Sequence, residues 1–178
     1  LKHDVNIETS SAYDIDLILH LYEDQKIDKN RIIVHNGYKT DEYLEKIILL
    51  QEAGFKNSIL VLDSVKELGR IRQIRPNHKL KIGLRMAINE QAQSAYYTSR
   101  LGISHTDMMD LYKEKIKNDP NVELKMLHFF VDTGIKDTLY YWGEFQKALK
   151  LYVELKKECD TLDSFNLGGG FPIRNHLG

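Results

Sequence analysis

Ser58-Ile59-Leu60-Val61-Leu62-Asp63-Ser64 is an apolar run closed by a helix-capping pair, and behind it Val65 to Ile74 forms a short helix that stops before Pro76. A strand this continuously apolar is one covered on both faces, as in a parallel sheet flanked by helices. The same unit recurs outward in both directions. Upstream, Arg31 to His35 is a strand, Asn36-Gly37 turns, and Asp41 to Ala53 carries Leu44, Ile47 and Ile48 on one face before Gly54 ends the helix. Before that, Asp4 to Thr9 is strand-like, and Ser10-Ser11 starts a helix with Ile15, Ile18 and Tyr22 at helical spacing. Downstream, Lys81 to Ala87 is a fourth strand, and the polar stretch Asn89 to Ser99 is one long excursion without regular apolar spacing. Thr106 to Ile116 resumes as a helix with Met109, Tyr112 and Ile116 inward, and Val122 to Val131 is a fifth strand closed by Asp132-Thr133-Gly134. Thr138 to Cys159 is the longest helix, with Tyr141, Phe145, Ala148, Tyr152 and Leu155 on one stripe, and a last strand follows it.

This alternation of about six strands and five helices predicts a parallel α/β sheet, either doubly wound or a barrel. A full (β/α) barrel of the TIM type takes about 250 residues and eight strands. The 178 residues therefore read as one domain, 1–178, an incomplete barrel without its first and last units.

The last strand runs into Leu167-Gly168-Gly169-Gly170-Phe171-Pro172. Consecutive glycines expose backbone N–H groups with no Cβ in the way, so a phosphate can reach several donors at once. A bare glycine triplet is more often a connector, but one that closes the final strand of a strand–helix series lies where α/β barrels hold phosphate.

With 25 basic and 26 acidic residues, a net charge of -1, the chain lacks the positive field of a general nucleic-acid or anionic-membrane binder. No apolar run approaches a membrane span. Cys159 is the single cysteine, which excludes an intrachain disulfide and fits a reducing cytoplasm. The N-terminus, Leu1-Lys2-His3-Asp4, carries neither an initiator methionine nor a signal pattern and reads as cut from a longer chain. The histidines show no metal-ligand spacing, and no nucleophile elbow supports hydrolysis.

Function in parallel α/β proteins collects at strand carboxyl ends, which selects Glu8, His35-Asn36, Asp63, Arg85, His128 to Thr133 and Gly168 to Gly170. Asp63 and Ser10 are adequately explained as helix N-caps. Arg85, inside an apolar strand, requires a carboxylate or phosphate partner, and a structural ion pair serves as well as a ligand. His128, between Leu127 and Phe129, reads as a satisfied core residue.

Ile7-Glu8-Thr9-Ser10-Ser11-Ala12-Tyr13-Asp14-Ile15, Ile33-Val34-His35-Asn36-Gly37-Tyr38-Lys39, Ile82-Gly83-Leu84-Arg85, Ser99-Arg100-Leu101-Gly102-Ile103, Leu127-His128-Phe129-Phe130 and Leu167 to Pro172 fall in an ordered series over nearly the whole chain. The series resembles the pyridoxal-phosphate-dependent decarboxylases of the alanine-racemase-like barrel class, the biosynthetic arginine decarboxylases most of all. The resemblance implies pyridoxal 5'-phosphate as cofactor, held through the backbone of Gly168, Gly169 and Gly170. It also implies that Glu8 is an acidic residue near the cofactor lysine, that Arg85 orients cofactor or substrate groups, and that Arg100-Leu101-Gly102 is the signature after the variable loop.

The chain departs from the family pattern in two places. Phe130 stands where the family has a histidine stacked on the cofactor ring; it can stack but cannot carry charge. Asp132-Thr133 replaces Gly-Ser, leaving the Thr133 hydroxyl to reach the phosphate. By the same resemblance the Schiff-base lysine belongs to an upstream strand and is not Lys2. The last barrel units and the C-terminal β domain, which shares substrate contacts across a homodimer, are also missing from the series. The expectation is a cytoplasmic decarboxylase of a small basic amino acid, arginine first, with residues 1–178 inactive alone. The alternatives are a catalytically inactive homologue that binds partners, or a phosphate-binding barrel enzyme with other chemistry.

Overall fold

The computed structural model describes residues 5–88, 101–131 and 138–169. Six strands, β1 Ile7–Thr9, β2 Ile33–His35, β3 Ser58–Leu62, β4 Leu80–Arg85, β5 Val122–His128 and β6 Ser164–Asn166, form one parallel sheet in chain order. Helices α1 Ala12–Glu23, α2 Asp41–Glu52, α3 Glu67–Ile74, α4 His105–Leu111 and α5 Thr138–Glu158 connect them. Residues of the two edge strands, Glu8 and Asn166, line one cavity of about 350 Å³ together with Val34, Ile59 and Met126, so the sheet curls into a half-barrel with an inner face.

Alternation along the strands divides the buried residues between two faces. Ile33, Leu60, Leu62, Ile82, Leu84, Leu124, Leu127 and Phe129 belong to the main core under the helices. Val34, Ile59, Val61 and Met126 form a small separate cluster on the inner face. A register shift lets Ile82 pair with Leu124 and the next residue, Gly83, pair with Met126, skipping Lys125. This extra residue brings Leu124 and Leu127, three apart, to the same face.

Local chemistry sets the helix starts. Asp14 accepts the N–H groups of Ser10 (2.7 Å) and Ser11 (2.9 Å), so α1 begins with Ser11 as its cap and Ser10 one place outside. Those bonds, Ser10's first, hold the Asp14 carboxyl below its ordinary range. The hydroxyls of Thr40 and Ser104 accept the N–H of Tyr43 and Asp107 at the starts of α2 and α4.

Several elements differ from expectation. β2 and β5 are shorter than their apolar runs, because β5 pairs only as far as its neighbours reach: His128 is opposite Arg85 and Asn166, the last residues of β4 and β6. α3 begins at Glu67 rather than Val65. The helix predicted over Thr106 to Ile116 is α-helical to Leu111 and then closes in a π-helical turn, Tyr112–Ile116; Met108 and Leu111 are buried there, whereas Met109 is only partly so. The polar excursion Asn89 to Ser99 lies outside the described residues. Its two flanks are clamped together: Ile103 N–H donates to Arg85 O (2.8 Å), Ala87 N–H to Ile103 O (2.9 Å) and Gly102 N–H to Asp63 O (3.0 Å). Gly102 has φ +110°, and a Cβ there would lie 2.7 Å from the Ala87 nitrogen, so only glycine permits the clamp.

Candidate functional site

At the carboxyl ends of the strands, a cavity of about 400 Å³ is lined by Glu8, Asn36, Arg85, His128, Phe130, Gly168 and Gly169, among others. Seven of the strand-end residues selected from the sequence thus meet: Glu8, Asn36, Arg85, His128, Phe130, Gly168 and Gly169. Gly170, Thr133, Asp132 and Arg100 lie outside the described residues.

The two described glycines of the triplet differ. Gly168 has φ +68°, and a Cβ on it would lie 2.5 Å from Cδ2 of Phe130, so a side chain is excluded twice over. Its N–H is taken by the Asn166 side chain, 2.8 Å away. Gly169 has no atom within 4 Å of a would-be Cβ and faces open space. Gly168 therefore shapes the loop, and close backbone approach begins at Gly169.

Phe130 stacks on His128 with ring centroids 6.5 Å apart and planes 8° from parallel, which places both on the inner face as strand alternation requires. The Arg85 guanidinium lies 5.6 Å from the Phe130 centroid. His128 is not the satisfied core residue that its apolar neighbours suggest. Its Nε2 is 3.3 Å from Nδ2 of Asn36, and its buried Nδ1 has no hydrogen-bond partner among the described residues. Asn36 also donates to Glu8 Oε1 at 3.1 Å. Burial first, then the Arg85 and Lys39 charges, push His128 down to about 4.

Behind this wall lies a charge cluster that the sequence did not announce. Lys39 is wholly buried, with Nζ donating to Gly37 O (2.6 Å) and lying 3.5 Å from Asp63 and 3.7 Å from Glu67. Asp63 in turn stands 3.6 Å from Arg85. Asp63 is therefore not a cap: its carboxylate is the counter-ion shared by Lys39 and Arg85, and the structural ion pair considered for Arg85 is present. Glu67 accepts the Asp63 N–H at 2.6 Å, and burial raises its carboxyl above the ordinary range against the pull of Lys39. A lysine ahead of a capping threonine reads as a solvated loop residue, and only carboxylates arriving from β3 and α3 make its burial possible.

On the opposite face of the sheet, His35 is saturated. Its Nδ1 meets Thr9 Oγ1 at 2.7 Å and its Nε2 meets Ser58 Oγ at 3.0 Å, while Tyr43 completes the Thr9 hydroxyl at 2.6 Å. Burial, then Lys39, pushes His35 down to about 3.

A phosphorylated pyridine needs close backbone approach, a cation and an aromatic surface, and the cavity offers Gly169, Arg85 and Phe130 for these. The profile of the family described as pyridoxal-dependent decarboxylase, pyridoxal binding domain, matches residues 2–177. The chain belongs to this family. Pyridoxal phosphate is accordingly the cofactor of the family. The biosynthetic arginine decarboxylase of Prochlorococcus marinus (strain AS9601) is 29% identical over 174 residues, which cover 94% of this chain and 26% of that protein. The chain thus spans about a quarter of the length of this relative. Among solved structures, the biosynthetic arginine decarboxylase of Campylobacter jejuni matches with a TM-score of 0.68 at 25% identity, covering 95% of this chain and 27% of that one. The arginine decarboxylase of Paramecium bursaria Chlorella virus, solved with agmatine, shares the fold at a TM-score of 0.68 and 19% identity, over 98% of this chain and 44% of that one. The half-barrel is thus the incomplete parallel barrel expected from the alternation of strands and helices.

Proposed function

We propose that the protein carrying this chain is a pyridoxal-phosphate-dependent decarboxylase of a basic amino acid, arginine to agmatine in the first place, and that residues 1–178 are a single domain supplying the central part of its cofactor barrel. The observation that carries this reading is the convergence of Gly168-Gly169, Arg85 and Phe130 on one cavity at the strand ends. The backbone from Gly169 onward, joined by Gly170 and Thr133, holds the phosphate; Arg85, tethered by Asp63, supplies the cation; Phe130 gives a ring face; Glu8 presents a carboxylate steadied by Asn36. Bound there, pyridoxal phosphate supplies the electron sink for loss of carbon dioxide from an α-carbon. The substrate is a small amino acid rather than a nucleic acid or a membrane. The working form is a cytoplasmic homodimer or higher homo-oligomer, and no helix among the described residues is long and apolar enough to cross a membrane.

The test is carbon dioxide release by the full-length protein from arginine, ornithine, lysine and diaminopimelate, alongside cofactor titration. Arginine is expected to be turned over fastest. Gly169→Val places two methyl groups in the open cavity and is expected to weaken cofactor binding more than about tenfold, ~1.4 kcal/mol, with little change in melting temperature. Unchanged affinity would reduce the triplet to a connector. A second reading, a homologue that binds without chemistry, is favoured by Phe130 in place of the family histidine; it predicts cofactor binding with no carbon dioxide from any of the four.

A further inference from the structure

We propose that Asn36 is a positioning residue that fixes His128 as a neutral imidazole with its proton on Nδ1, and that the Glu8 carboxylate dictates which way the Asn36 amide faces. The value of this arrangement to the cofactor rests on the decarboxylase reading; the tautomer itself does not.

The argument runs through one amide. An ionised carboxylate only accepts, so the Asn36 atom 3.1 Å from Glu8 Oε1 is the amide nitrogen. That nitrogen has a second hydrogen, and His128 Nε2 lies 3.3 Å away. Two donors cannot share a hydrogen bond, so Nε2 offers its lone pair and the ring proton resides on Nδ1. A positive ring is opposed by two nearby cations: the Arg85 guanidinium and His128 both neighbour Phe130, and Lys39 shares the Asp63 carboxylate with Arg85. Placing the proton on Nε2 would require the amide to turn, and the turned amide would set its oxygen against the carboxylate of Glu8. Glu8, Asn36 and His128 therefore switch together or not at all. The chain holds the Glu8 carboxylate at the cavity and an uncharged ring beneath Phe130, leaving Arg85 as the cation next to that stack.

The experiment is a long-range proton–nitrogen correlation spectrum of the full-length protein labelled with ¹⁵N-histidine at pH 8, with His128 identified by its loss in His128→Gln. The expected pattern is a protonated Nδ1 and a bare Nε2. In Glu8→Gln, an exposed and nearly isosteric change, the amide is free to turn and His128 moves predominantly to the Nε2–H form. Asn36→Leu removes the lock as well and raises the Kd for pyridoxal phosphate at least about threefold. An Nε2–H pattern in the unaltered protein, or a pattern that survives either substitution, overturns the proposal, and an unchanged Kd in Asn36→Leu overturns the positioning role. Failure of the unaltered protein to bind pyridoxal phosphate would strike the decarboxylase reading and leave the tautomer result standing.

Discussion

His35 and His128 end strands of the same sheet and are 0% and 2% exposed, yet they are finished to different standards. His35 faces the helices, where both ring nitrogens meet hydroxyls within 3.0 Å. His128 faces the inside of the curl, where one nitrogen has a long contact at 3.3 Å and the other has no partner among the described residues. The face under the helices must be dry and complete to hold the fold, so its polar atoms are matched. The inner face borders a cavity, and there Asn36 Oδ1 and His128 Nδ1 are left without a hydrogen-bond partner among the described residues.

The largest expected effect separates the two histidines directly. His35→Leu leaves the Ser58 hydroxyl buried without a partner and takes one bond from Thr9, so urea unfolding should show a loss of about 2–4 kcal/mol. His128→Leu removes an unmet donor along with one weak bond and should fall within about 1 kcal/mol of the parent. Equal losses would break the comparison.

Next comes pH. Both rings have folded values below the ordinary 6.5, His35 at about 3 and His128 at about 4. The unfolded chain therefore binds more protons than the folded one as pH drops below about 6.5, and stability declines toward acid. Each ring contributes up to about 1.4 kcal/mol per pH unit within its window. The windows of both rings cover pH 6 to 4, so His35→Leu, which removes one of them, should flatten the stability profile in that range relative to the parent. A profile as steep as the parent's in that range would show that the ring is charged in the fold.

The smallest effect sharpens the inner face alone. Phe130 neighbours both His128 and Arg85, and a double-mutant cycle of Phe130→Leu with Arg85→Met should return a coupling of about 0.5–1 kcal/mol. Zero coupling would mean that the two side chains are neighbours without an energetic tie.

Much of this contrast was legible in the sequence. Apolar runs bounded by caps located β3 and α2 almost to the residue, because both signals act locally. Glu8, Arg85, Phe130, Gly168 and Gly169 could be selected because a parallel sheet directs strand ends to one rim. Lys39 and the role of Asn36 were hidden. Asn36-Gly37 has the composition of a turn, and nothing near Lys39 in the chain distinguishes a buried lysine from a solvated one. Their meaning depends on Asp63, Glu67 and His128, which arrive from other elements. Asp63 was misjudged for the same reason, since an aspartate after a strand is locally a good cap and only the fold reveals two cations beside it.

The clamp made by Gly102 and Ile103 against Ala87, Arg85 and the Asp63 carbonyl decouples the rim from the length of chain it brackets. Because the chain leaves and rejoins the barrel rim at one stapled point, the length of what lies between has little leverage on Arg85. Doubling the number of residues between two fixed ends costs only about 0.6 kcal/mol in closure entropy. The staple makes this the point of the rim where a change in length is least able to disturb Arg85 and the residues beside it.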